Sequence, residues 1–75
     1  MTSVEVVYNY GSVPTEAVMR GVNDMQEVYG IRRVRFQEKE RLVRVEFDAT
    51  RLNEDNVASL LRRAGIDIVG KVALV

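Results

Sequence analysis

Apolar residues in this chain recur with a period of two, then of about 3.6, then of two again, and the whole cycle runs twice. Few small architectures satisfy that order. "VEVVYNY" at 4–10 alternates Val4, Val6, Tyr8 and Tyr10 against Glu5, Val7 and Asn9, which predicts a strand with one buried face. Gly11 ends it, and Pro14 fits a first helical turn, where the missing N–H costs nothing. Val18, Val22, Met25 and Tyr29 then recur at helical spacing, with Arg20, Asn23, Asp24 and Gln26 opposite. Met19 and Met25 read as filling for the core. A glycine inside a helix is unfavourable, so Gly21 points to the close approach of a strand, while Gly30 suits the helix C-terminus.

The second cycle has the same shape. "IRRVRFQ" (31–37) sets Val34 and Phe36 inward and Arg33 and Arg35 outward, and the polar "QEKER" makes a hairpin connection. "LVRVEFD" (42–48) places Val43, Val45 and Phe47 inward and Leu42, Arg44 and Glu46 outward. Asn53 is the expected cap of a helix whose apolar face is Val57, Leu60, Leu61 and Ala64. Glu54 and Asp55 suit the positive end of that helix dipole, Arg62 and Arg63 the negative end, and Gly65 stops it. "IDIVGKVALV" supplies a last strand, with Gly70 as a bulge. Two short echoes reinforce the duplication: "GIRRV" with "GIDIV", and "VEVVY" with "VRVEF". Strand-helix-strand, twice over, is the split-βαβ or ferredoxin-like plan, an α+β sandwich. It predicts a four-stranded antiparallel sheet with two helices on one face and the other face open, in one domain spanning 1–75.

A chain of 75 residues without Cys has neither disulfides nor thiolate sites to support it, so packing must do so, and 47% hydrophobic content permits that. The net charge is zero, which removes any global attraction to nucleic acid or an anionic surface. Charge is nevertheless uneven: residues 32 to 44 hold six basic side chains against Glu38 and Glu40. "MTSVEVVYNY" lacks a basic n-region and an apolar core of signal-peptide length, and no run approaches a membrane span. The expectation is a soluble, cytoplasmic protein.

"GSVPTEA" (11–17), "GI" (30–31) and "FDATRLNEDNVASLLRRAG" (47–65) carry a resemblance. The chain resembles the heavy-metal-associated (HMA) domains, which run strand, Gly-Met-Thr-Cys-x-x-Cys, helix, Gly-Val, strand, hairpin and a second helix ending Ala-Gly. The resemblance implies the same fold. It also locates what is missing, because the two cysteine positions of the family correspond to Pro14 and Ala17, and its Met and Thr to Ser12 and Val13. After Ala-Gly, where the family often has Tyr, Phe or Lys, this chain has Ile66. Copper(I) and mercury need soft donors, which Pro and Ala do not have. No metal site, no cofactor and no thiolate-type metal binding are therefore expected.

Two other regions are candidates for function. Tyr10, Ser12, Thr15 and Glu16 surround a helix N-terminus, where N–H groups favour anions, although Glu16 in the first turn already answers that dipole and capping is the plainer explanation. Val7, Arg33, Arg35, Leu42, Arg44 and Val69 are expected on the open sheet face as an interaction surface, among Glu5, Glu46, Asp67 and Lys71. Cross-strand pairing of those charges is the plainer explanation. RNA recognition by stacking is not expected, since Tyr8, Tyr10, Phe36 and Phe47 fall in the inward register. Catalysis lacks its usual means: there is no His or Cys, and the loop serine has no base near it in sequence. The expectation is a non-catalytic, HMA-like module that binds a protein partner or a second copy, with the apolar "VGKVALV" edge available for pairing. Two alternatives stand beside it: a small-ligand sensor resembling ACT domains, suggested by Gly11, and a residual role in metal-ion binding or transport.

Overall fold

The structure, a computed structural model, describes residues 2–74. Its elements are β1 (Ser3–Tyr10), α1 (Glu16–Met25), β2 (Ile31–Gln37), β3 (Leu42–Asp48), α2 (Glu54–Ala64) and β4 (Ile68–Leu74). The strands form one sheet in the order β2-β3-β1-β4, every neighbour antiparallel. This is the ferredoxin-like sandwich, with both helices on one face. Val6, Val43, Val45 and Phe47 of the central strands meet Val22 and Met25 of α1 and Val57 and Leu61 of α2 in a single core. β-branched side chains suit the pleated sheet, and longer ones fill the space beneath the helices.

The first helix departs from its sequence pattern at both ends. It starts at Glu16, not at Pro14, because extended Thr15 is the N-cap and its hydroxyl accepts the N–H of Val18 at 3.3 Å. It stops at Met25, so Tyr29 falls beyond it and is 68% exposed, and Val28 packs against the core instead. The Arg51 guanidinium lies 4.4 Å above the Tyr29 ring. Met19 is not core filling: one residue past Val18, it is rotated by about 100° off the buried stripe and exposed. Gly21 faces a helix and not a strand, since a Cβ there would meet Ala64 O and Cα at 3.0 and 3.1 Å. Gly30 lies beyond the helix and, with φ of 105°, turns the chain into β2.

Bulges change which side chains face in. In β2, Ile31 pairs with Phe47 and Arg33 with Glu46, leaving Arg32 as the extra residue. Ile31 is therefore buried although it lies three residues before inward Val34. In β4, Ile68, Gly70, Lys71 and Ala73 pair with Tyr10, Asn9, Tyr8 and Val7. The expected bulge at Gly70 is thus replaced by two, at Val69 and Val72, which are 65% and 54% exposed. The shift carries Lys71 to the helix side, where its Nζ donates to Glu54 at 3.1 and 3.2 Å. Lys71 therefore does not join the open face as expected, and Asp67 precedes β4, beside Gly11.

Candidate functional site

The loop from β1 to α1 is held by backbone, not by ligand-binding side chains. Gly11 N–H donates to the Asp67 carbonyl at 3.0 Å, and Arg41 Nη1 donates to the Gly11 carbonyl at 2.7 Å. Tyr10 N–H donates to the Arg41 carbonyl at 3.0 Å, with Arg41 itself at a left-handed φ of 54°. A Cβ on Gly11 would lie 2.8 Å from Asp67 Oδ2, the end of an exposed side chain that has room to move. Sequence reading missed both Arg41 and Asp67. No local pattern marks a side chain whose partner lies 30 residues away.

The four loop candidates do not converge. Tyr10 is a core residue, its ring edge-on to Phe36 at 5.9 Å and 73°. Burial raises its hydroxyl above the ordinary value, Glu38 adding to the shift and Arg41 opposing it. Thr15 caps the helix, Glu16 pairs with Arg20 at 3.3 Å on an exposed surface, and Ser12 is exposed. Pro14 and Ala17 offer no donor atom in their side chains. Among the described residues, no three His, Cys, Asp or Glu side chains come together to hold a metal.

Five of the six surface candidates share the open face. Val7 is only 2% exposed even there, since it sits between Arg44 and Ala73 in register. Arg44 lies across the face: Nη1 donates to Glu5 Oε1 at 3.0 Å and Nε to Gln37 Oε1 at 2.9 Å. Leu42 is half-buried between Asn9 and Gln37. Arg33 faces Glu46 and Arg35 faces Arg44 in register, and both are exposed. Val69 is separate, at its bulge beside Gly11.

The opposite end of the sheet is tied by its own hydrogen bonds. Asp48 Oδ1 accepts the Thr50 N–H at 2.9 Å and hydroxyl at 2.7 Å. Those bonds, with Arg32 and Arg51 nearby, hold its carboxyl below the ordinary carboxylate value. Tyr8 hydroxyl donates to the Glu54 carbonyl at 2.7 Å, and burial followed by the charge of Glu54 raises its pKa.

No family model matches the chain, and no characterised protein matches it in sequence. The solution structure of the yeast copper transporter domain CCC2A, in its apo and Cu(I)-loaded states, matches it with a TM-score of 0.72. That match covers 93% of this chain and 96% of the yeast domain at 14% identity, and what it shows is a common fold. The absence of Cys is consistent with a scaffold of this kind that lacks thiolate ligands. Among the described residues no helix is long and apolar enough to cross a membrane.

Proposed function

We propose that this chain is a non-catalytic binding module, with the scaffold of a copper transporter domain turned to holding another protein chain at its open sheet face and edge strands. What carries the reading is a contrast in how side chains are used. Every candidate in the first loop except Ser12 is occupied in the core, in a cap or in a helix-surface ion pair. On the open face, Arg33 and Arg35 remain exposed with no carboxylate at ion-pair distance among the described residues. Soft-metal binding would need donors this loop does not have, and Met25 is sequestered in the core.

A Cu(I) titration of the apo-protein against a competing chelator tests this. We expect no one-to-one complex of sub-micromolar affinity, and such a complex would overturn the reading. Free amino acids and nucleotides are likewise expected to leave the Tm unchanged. A reproducible rise with one of them would make the protein a small-ligand sensor.

A further inference from the structure

The two edges of the sheet are unlike. β4 is interrupted twice, at Val69 and Val72, and bulges of this sort blunt an edge against further pairing. β2 is interrupted once, near its start at Arg32, and then runs in unbroken register from Arg33 to Gln37 against Glu46 to Leu42. Its outer side pairs with no strand of the sheet. An edge like that offers its N–H and C=O groups to an extended chain.

The side chains along β2 say which kind of chain. Arg33 and Arg35 lie on the open face of this edge strand, and Arg35 stands directly across from Arg44. Like charges so placed are unfavourable. Arg44 is answered by Glu5 and Gln37, whereas Arg33 and Arg35 have no such partner among the described residues. On the other face, Val34 and Phe36 pack against the core yet remain only half-buried, on the outermost strand of the sheet. A second copy fits poorly. Antiparallel β2–β2 pairing would set the arginines of both copies on one face, and β4 of another copy brings two bulges.

We propose that β2 is a docking edge for an extended acidic segment of another protein. The segment adds as a fifth strand, its Asp or Glu side chains beside Arg33 and Arg35 and its alternate apolar side chains completing the burial of Val34 and Phe36. This names the partner chemistry for the binding-module reading and rests on it.

The test uses isotope-labelled protein and two capped peptides, one alternating Glu with Val and one alternating Lys with Val. The acidic peptide is expected to shift and protect the amides of residues 31–37, with affinity falling as salt rises. The double variant Arg33→Glu with Arg35→Glu, both at exposed positions, is expected to keep its fold. It should bind the acidic peptide at least about tenfold more weakly and the Lys peptide more strongly. Equal binding of both peptides, shifts centred on β4 or the first loop, no binding at millimolar peptide, or a β2-mediated dimer in sedimentation would each overturn the proposal. Any of these beside a blank copper titration removes only the acidic occupant. Tight copper binding removes the module reading whatever the peptides do.

Discussion

The two halves of the molecule repeat one strand-helix-strand order and are fastened very differently. At the start of α1 a single hydroxyl caps the helix at 3.3 Å, and the helix ends at Gln26 in ordinary right-handed geometry. At the start of α2, Asn53 and Asn56 bond one another's backbone at 2.8 and 3.0 Å, and Gly65 closes the helix at φ 102°. Asp48 ties the turn before α2, and the Tyr8 hydroxyl reaches its first residue. α2 also buries Val57, Ala58 and Leu61, against Val22 and Met25 in α1. The second half is thus determined twice, by local hydrogen bonds and by packing. The first half leans on its neighbours, through the Gly21–Ala64 contact and the backbone clamp on Gly11.

The sharpest way to break that contrast is in the core. Leu61→Ala should lower unfolding free energy by about 3 kcal/mol, because it empties a fully buried site. Val18→Ala, at a half-buried position of α1, should cost about 1 kcal/mol. Urea denaturation compares them, and equal losses would mean the helices are equally well seated.

The caps are the next test. Asn53→Ala removes the side-chain acceptor of the Asn56 N–H, one half of a reciprocal pair, and should cost about 1 kcal/mol, while Thr15→Ala should cost about 0.5 kcal/mol. The smaller loss at Thr15 should also appear as faster amide exchange in the first turn of α1 than of α2 in the unaltered protein.

The finest probe is acid. The Asp48 carboxyl is held below 3.8 in the folded chain, so the ionised group favours the folded state. That contribution is complete above the unfolded-state pKa and disappears as pH falls through the lower folded value. In Asp48→Asn this part of the acid sensitivity should vanish, and the urea midpoint should fall less steeply below pH 3.8 than in the parent. An unchanged acid limb would mean the turn before α2 is no better tied than the loop before α1.

Much of the architecture was legible because it is local and periodic. The alternations at 4–10 and 42–48, the Asn53 cap and the Gly65 stop each depend on residues a few positions apart. Tyr29 was misplaced because a helical stripe does not reveal where its helix ends, and Met19 because it lies one residue off that stripe. Lys71 was misplaced for a different reason: a bulge reverses the parity of every residue after it, and whether one forms depends on the strand alongside. The candidate surface was legible as a face but not as an edge. Arg33 and Arg35 were placed correctly, yet only strand order shows that they lie on the outermost strand, and only register sets Arg35 against Arg44.

By itself, then, the sequence determined the order of elements, the inward set of the central strands and the lack of soft donors at Pro14 and Ala17. These follow from side-chain chemistry and from spacing along a single segment. Only the tertiary structure decided which edge is blunted and which is open, what clamps the first loop, and why Gly21 must be small. Each of those is a contact between segments distant in the chain, settled when the sheet and helices pack together.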